Sequence, residues 1–516
     1  MASNDSRRLA LATVTLPSRN APLQVIATGG GRRQCWECQR RRIVCDAVRP
    51  VCGKCKATGV VCPGYEDKKP LTWLAPGKVK TRTWKRKTPA KKGETTATKG
   101  SPQAMALAKA QREQKEKEAA IVFGRDLRSD MCDIVEATVY WNDQMYPDFS
   151  SKQLDTSPWI VPVRYIQYMP PAIQHGLVSM ALDHRIMTTG LRKDDPAVSD
   201  LRERFHQHRC TAIKALNEDV NNERRRGADL TLSGVVVFLY ADLMSSATCR
   251  NWRHHMSGLY ALMDMRGGFL AVLRITPYLG PILLFMKIIE VLANTTSPAN
   301  DQQYPLQSYK SIEEIGKLYA SGYYPFLPCP EELFVNLVRI NRLRNLVTTG
   351  ATVSDAESPR DAAEDLLERI IEFSPEAWAE KKEEHKDRFL LMAKVYQSAA
   401  TLFAISSLQG AGALPPSSGW RAVKKIHYGR LIPLLEESYR DKLLKHCITW
   451  PLIVAGFEAK TGTPAARSFV SRTLAEESKG LGVYLPMGAK LTLEKFWSSG
   501  KNAWDECFDE PNAFVM

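Results

Sequence analysis

Residues 35–62 read CWECQRRRIVCDAVRPVCGKCKATGVVC and contain the unit Cys-x2-Cys-x6-Cys twice. Two thiolates that are separated by two residues can bind one metal ion, and zinc prefers four such ligands in a tetrahedron. Two zinc ions need eight ligand positions, so six cysteines suffice if two thiolates bridge both ions. The segment holds no histidine and is too short to bury much apolar surface. We therefore expect zinc to supply much of its folding free energy. The predicted ligands are Cys35, Cys38, Cys45, Cys52, Cys55 and Cys62.

The positive charge of the chain is concentrated around this segment. The net charge is +15, and residues 31–100 hold 19 Lys and Arg against 5 Asp and Glu, whereas residues 101–516 are nearly neutral. A short basic segment joined to a large neutral domain predicts binding to a polyanion such as DNA. Three consecutive arginines, Arg40, Arg41 and Arg42, follow the first cysteine pair, and only Lys56 stands in the corresponding second loop. We expect the first half to enter a groove, where arginine can donate bidentately to guanine.

Composition limits the remaining classes of protein. A chain of 516 residues with 44% hydrophobic residues predicts two or three domains with buried cores. The longest uninterrupted apolar run has seven residues, 235–241, and no membrane association is expected. Six further cysteines are scattered singly, and the N-terminus has no apolar signal core, which indicates a reducing compartment and buried core thiols.

Four segments are predicted along the chain. Residues 1–30 form a disordered lead, 31–66 the zinc cluster, 67–124 a basic linker with a possible helix over 104–123, and 125–516 an all-α domain. The linker carries a basic cluster that is typical of nuclear import or additional phosphate contacts, with solvated linker charge as the alternative. Its members are Lys85, Arg86, Lys87, Lys91 and Lys92.

Helical periodicity dominates the large domain, and strand alternation is nearly absent. The predicted helices are Ile173–Thr188, Leu201–Asn221, Leu230–Ser245, Trp252–Arg266, Pro281–Ala293, Pro330–Arg344, Ala362–Phe373 and Arg388–Leu408. Gly267 and Gly268 predict a helix end after Arg266. The tail 496–516 mixes aromatic and acidic residues, which fits either packing onto the domain or an activation segment.

The cysteine segment resembles the fungal zinc binuclear cluster of Zn(2)-C6 transcription factors. The resemblance implies that Cys35 and Cys52 bridge the two zinc ions and that Arg41 and Arg42 reach a CGG triplet. Pro50 matches the proline of the loop between the halves. The family often has lysine before the third cysteine, where this chain has Val44, and Arg40, Lys54 and Lys56 could supply the missing phosphate contact.

The remainder resembles the second type of fungal-specific transcription factor domain, on pieces such as residues 251–258, 328–333, 373–379, 450–456 and 504–508. Together the two resemblances imply a small metal-stabilised zinc binuclear cluster plus a large all-α regulatory domain. The implied function is sequence-specific, zinc-dependent control of transcription by RNA polymerase II in the nucleus, with double-stranded DNA, coactivators or corepressors and a second copy as partners. Regulators of this architecture act in secondary metabolism, nutrient use or drug response.

Two other classes of function stay as alternatives. A zinc-stabilised adaptor that binds protein would use the same six thiolates but would give the arginine run no purpose. An enzyme is not expected, because the chain lacks the G-x-S-x-G, H-E-x-x-H and G-x-x-x-x-G-K-[ST] motifs. The remaining cluster of ligand-type residues, His206, His208 and Cys210, is not expected to bind metal, because side chains two residues apart diverge on a helix.

Overall fold

A computed structural model describes residues 34–60, 62–63, 65, 129–145, 161–190, 195–304, 308–320, 328–351 and 358–515. The chain divides into two compact units, Met1–Ser101 and Pro102–Met516. The predicted lead 1–30 and the whole of the predicted basic linker 67–124, with its import residues and the possible helix 104–123, lie outside the described residues.

The first unit repeats one local structure. Helix α1 spans Trp36–Arg41 and helix α2 spans Gly53–Ala57. Each helix begins after a cysteine whose sulfur accepts a hydrogen bond from the backbone N–H three residues later, at 3.4 Å for Cys35 and 3.3 Å for Cys52. The sulfur therefore does the work of a helix N-cap oxygen, and the sequence repeat becomes a structural one.

The described part of the second unit is helical, and it contains no β-strand. Its α-helices are α3 Asp130–Tyr140, α4 Pro171–Thr188, α5 Pro196–Asn221, α6 Asp229–Met244, α7 Trp252–Asp264, α8 Phe269–Ile275, α9 Gly280–Thr295, α10 Ser308–Ala320, α11 Glu331–Thr349, α12 Pro359–Glu372, α13 Pro375–Glu380, α14 Lys386–Gly410, α15 Ser418–Arg440, α16 Thr449–Glu458, α17 Pro464–Leu481, α18 Leu485–Trp497 and α19 Trp504–Cys507.

All eight predicted helices are present, and their ends differ from the prediction by a few residues. The two largest differences are five residues each: α11 ends at Thr349 rather than at Arg344, and α5 begins at Pro196 rather than at Leu201. The Asp195 carboxylate accepts a hydrogen bond from the Ala197 N–H, and proline is favoured in the first turn, so the helix starts one turn earlier. The predicted helix end is confirmed, since Gly267 and Gly268 follow α7 with φ of 91° and 90°.

Helix α14 forms the centre of the second unit. It is buried nearly all round from Met392 to Leu408 and packs against α11, α12, α13, α15 and α16. Such a helix belongs in the interior of a large core rather than on its surface.

The C-terminal tail packs onto this core. Trp504 and Phe508 are fully buried, and the Trp504 indole N–H donates to the backbone oxygen of Thr295 at 2.7 Å. The Trp450 indole N–H donates to the Thr295 hydroxyl at 2.8 Å. The aromatic residues of the tail are therefore placed as the packing interpretation predicts, because an activation segment would need them exposed.

Two helical stretches, Pro277–Thr295 and Lys386–Gly410, have the length and apolar character of membrane spans. Of their most apolar windows, 89% and 78% respectively is buried inside the second unit. Their composition reflects a position in the protein core, and by itself it is weak evidence for a membrane segment.

Candidate metal centre

The six cysteines of the repeat come together as two overlapping groups of four. One group is Cys35, Cys38, Cys45 and Cys52, and the other is Cys35, Cys52, Cys55 and Cys62, with all sulfurs of a group within 4.8 Å of one another. Cys35 and Cys52 belong to both groups. Six sulfurs thus present eight ligand positions, the number that two tetrahedral zinc ions need.

The distances between sulfur atoms fit tetrahedral zinc. A tetrahedron with zinc–sulfur bonds of about 2.3 Å has edges of about 3.8 Å. The Cys35 sulfur lies 3.6 Å from that of Cys52 and 3.8 Å from that of Cys55. The Cys38 and Cys52 sulfurs are 3.6 Å apart. All six cysteines are free thiols, and four of them are completely buried.

Burial and neighbouring sulfurs determine how these thiols ionise. Burial, followed by hydrogen bonds to other cysteines, raises the pKa of Cys38 far above its ordinary value and that of Cys55 to about 12. Cys45 behaves differently: burial opposes its ionisation, but the N–H groups of Cys35 and Ala47 donate to it and lower its pKa to about 6. The buried thiols therefore need the charge of a metal ion to become thiolates.

Tyr65 closes the site from beyond the last cysteine. Its hydroxyl donates to the backbone oxygen of Val48 at 2.9 Å and lies 3.7 Å from the Cys45 sulfur. The Arg49 guanidinium stands over its ring, 5.2 Å from the centroid. Sequence reasoning missed this residue, and its only signal was an aromatic side chain three residues after the final ligand.

The arginine run lies at the C-terminal end of α1, and all three side chains are exposed. Arg40 forms a bidentate pair with Glu37, at 2.6 and 2.8 Å. The Arg41 guanidinium donates to the Thr58 hydroxyl at 3.1 Å, which links the two halves of the cluster. Arg42 ends the helix and has no such side-chain bond among the described residues.

Lys54 and Lys56 are also exposed, on α2. The predicted DNA contacts are therefore divided between the two helices, with arginines on α1 and lysines on α2.

The two halves share their backbone but differ in side chains. Arg42 and Gly59 occupy equivalent positions and both have left-handed backbone, with φ of 57° and 66°. Each is followed by an N–H that donates to a cysteine oxygen, from Ile43 to Cys38 and from Val60 to Cys55, both at 3.1 Å. The repeat thus favours glycine here, and the first half has arginine instead.

The histidines of the second unit take structural positions. His208 is buried between Asp133 and His175, at 3.1 and 2.7 Å, whereas His206 and Cys210 are exposed. The buried His208 therefore has different surroundings from the two exposed residues, and within the described ranges the groups of metal-ligating residues are the two cysteine groups.

Comparison with known proteins agrees with this geometry. The family model of the fungal Zn(2)-Cys(6) binuclear cluster domain matches residues 33–71, and that of the fungal specific transcription factor domain matches residues 139–512. The chain is similar to the phomenoic acid biosynthesis cluster-specific transcriptional regulator of Leptosphaeria maculans, with 34% identity over 94% of this chain and 89% of the relative. No solved structure matches it.

Proposed function

Because this chain belongs to the fungal transcription factors that join a Zn(2)-Cys(6) binuclear cluster to a fungal specific transcription factor domain, we propose that it reads CGG-like half-sites in the promoters of one pathway. The cluster binds two zinc ions, and the chain is a DNA-binding transcription regulator. In the proposal, Cys35 and Cys52 bridge the ions within the 31–66 cluster domain, and the 125–516 domain is regulatory.

One observation carries the proposal of base reading: three exposed arginines at the end of one short helix of the cluster. The Arg40 guanidinium is paired with the Glu37 carboxylate, and the Arg41 guanidinium donates a hydrogen bond to the Thr58 hydroxyl. These contacts fix the positions of both guanidiniums before DNA binds. Arg42 is held by neither bond. A guanidinium at a helix end can donate bidentately to the O6 and N7 atoms of guanine.

The lysines of α2 have a different role in this proposal. Lys54 and Lys56 are point charges that fit phosphate oxygens, and phosphate contacts add affinity without reading sequence. Removal of these two charges reduces the slope of log binding constant against log salt concentration by about two. Removal of Arg41 and Arg42 instead relaxes the sequence preference.

The test is selection of binding sites from a random duplex pool by the full chain with zinc at near-physiological salt. We expect CGG triplets to be enriched. The variant R41A/R42A should lose the enrichment, and the matched variant K54A/K56A should keep it with weaker binding. Equal affinity for CGG-bearing and scrambled duplexes would favour the adaptor without base readout.

The relative and the family support a proposal for the pathway and for the compartment. The relative is named as a regulator specific for one biosynthetic gene cluster, and we extend that role in secondary metabolism to this chain in preference to nutrient or drug response. Transcription by RNA polymerase II requires entry into the nucleus, and the proposed import signal is Lys85–Lys87 with Lys91 and Lys92. Deletion of the gene should silence or derepress one co-located set of genes, and a scattered response would contradict pathway specificity.

A further inference from the structure

A cavity of about 410 Å³ opens in the second unit where α14, α15 and the loop after α16 meet. Its volume is in the range of small-molecule sites, about 300–1,000 Å³. The wall is polar and basic, and it contains no aliphatic side chain of the Leu, Ile or Val type. Three cationic residues of the wall, Arg421, Lys424 and Lys425, lie on one face of α15.

The charges of this wall are not balanced. The one carboxylate of the wall, Glu458, pairs with the Lys424 ammonium at 3.0 Å and also accepts a hydrogen bond from the Ser406 hydroxyl. Both oxygens of Glu458 are thereby engaged. Arg421 and Lys425 have no ion pair and no side-chain hydrogen bond among the described residues. Both side chains are exposed to solvent, so they place two positive charges at the open rim of one cavity, where no described carboxylate pairs with either of them.

A hydroxyl group in the same wall also lacks a partner. The Tyr428 hydroxyl is buried, yet it forms no hydrogen bond within the described structure. A buried polar group without a partner is costly and calls for an explanation such as a bound molecule. Burial raises the pKa of Tyr428, so that the hydroxyl keeps its proton and can donate it in a hydrogen bond.

Gly462 packs closely against this hydroxyl, and only the absence of a side chain permits that approach. A Cβ atom at position 462 would lie 2.6 Å from the Tyr428 hydroxyl oxygen and 3.3 Å from the Cα atom of Ala459. Any side chain here would push the tyrosine or fill that part of the cavity.

From this arrangement we infer that the cavity binds a small, hydrophilic organic anion, held through its oxyanion by Arg421, Lys425 and the Tyr428 hydroxyl. Carboxylate and phosphate share this chemistry, and guanidinium, ammonium and hydroxyl groups all donate to such oxygens. The lack of an aliphatic wall disfavours a fatty acid. The binding site itself is inferred from the structure alone. The further step, that the anion is an effector that adjusts transcription, rests on the proposed function.

The test titrates the zinc-loaded full chain with citrate, inorganic phosphate and octanoate, with sodium chloride adjusted to constant ionic strength. Calorimetry and the midpoint of thermal unfolding are the readouts. We expect saturable binding of citrate or phosphate, and which of them binds more tightly identifies the class of anion. Octanoate should bind weakly. The absence of saturable binding for all three, or tightest binding of octanoate, would overturn the inference.

Two matched pairs of variants locate the site. R421Q/K425Q should weaken anion binding by about tenfold or more, whereas R274Q/K442Q removes the same charge from exposed positions that do not line the cavity and should leave anion binding unchanged. G462A should weaken binding, whereas G480A, where a Cβ meets nothing within 4 Å, should not. Equal effects of variant and control would mean unspecific anion binding and overturn the inference.

Affinity for a CGG duplex is measured on the same preparations. If the unmodified chain prefers the CGG duplex but binds no anion, the inferred anion site is wrong and the proposed function stands. If the unmodified chain shows no preference for the CGG duplex, the proposed function is wrong. If R421Q/K425Q weakens DNA binding of the anion-free chain, the two cations contact phosphates of DNA, and the inference is wrong.

Discussion

Replacing Arg42 with glycine separates the role of this residue in the fold from its role on DNA. Arg42 has φ of 57° and ψ of 40°, in the left-handed region. Its counterpart in the second half of the cluster, Gly59, has φ of 66°. We expect R42G to hold zinc at least as well as the unmodified chain and to bind the cognate duplex more weakly. R42A is the matched control, because alanine removes the guanidinium but keeps the Cβ atom.

The magnitudes follow from the backbone and from the lost contact. Left-handed backbone costs an L-residue roughly 1–2 kcal/mol, and the extra freedom of glycine in the unfolded chain offsets about 0.5–1 kcal/mol of that relief. R42G should therefore retain zinc about 0.7 kcal/mol better than R42A, or roughly threefold. Loss of one bidentate contact to guanine costs about 1–3 kcal/mol, so both variants should bind the cognate duplex roughly 5- to 150-fold more weakly.

Zinc retention is measured on the full chain by competition with a chromogenic chelator, and DNA binding by fluorescence anisotropy on CGG and scrambled duplexes. Two results would refute the reasoning. If R42G releases zinc faster than R42A, the left-handed backbone at this position is not a cost. If both variants weaken binding to the two duplexes equally, Arg42 contacts phosphate and does not read bases.

Three further predictions concern the metal centre and the core of the second unit. Cys52→Ser should cost the chain both zinc ions and Cys62→Ser one of them, as measured by zinc content per chain, because Cys52 belongs to both groups of sulfurs and Cys62 to one. Asp505→Ala should lower the free energy of unfolding in urea by about 3–5 kcal/mol. The Asp505 carboxylate lies 2.6 Å from the fully buried Arg344 guanidinium, and its removal leaves that charge without a counter-charge. The double variant R344M/D505A should lower the free energy of unfolding less than D505A alone. Burial lowers the pKa of His427 to about 4 from an ordinary 6.5, so this histidine takes up a proton more readily in the unfolded chain than in the folded one. The second unit should therefore lose stability as the pH falls from about 6.5 to 4. His427→Gln should reduce this dependence of the unfolding free energy on pH.

The cluster could be predicted from sequence because its geometry is local. Two cysteines separated by two residues can share an ion, and the resemblance to the zinc binuclear cluster family implies that Cys35 and Cys52 are the shared ligands; both belong to the two sulfur groups of the structure. Eight of the seventeen α-helices described in the second unit could be predicted for a similar reason, since their apolar periodicity and end signals lie within a few residues of one another. Asp195, which starts α5 one turn early, is a local signal that the periodicity alone does not include.

Contacts between distant residues could not be predicted. Arg344 and Asp505 are 161 positions apart, and nothing near either one indicates that the guanidinium is buried against that carboxylate. The anion cavity has the same origin: Arg421 and Tyr428 share a helix face, but the space beside them depends on Gly462 in another loop. Periodicity describes one helix at a time, and these sites arise where several helices meet.

The internal repeat of the cluster also limits how much DNA one chain can read. The two halves have matching backbone, yet Arg40–Arg42 at the end of α1 correspond to Ala57–Gly59 at the end of α2. The second half therefore has no guanidinium to offer a groove, and its Thr58 hydroxyl accepts a hydrogen bond from Arg41. In the proposed function, one cluster therefore presents one base-reading surface, and a promoter site with two CGG-like triplets is expected to bind two chains, which the stoichiometry of chain to duplex on one- and two-triplet sites would test.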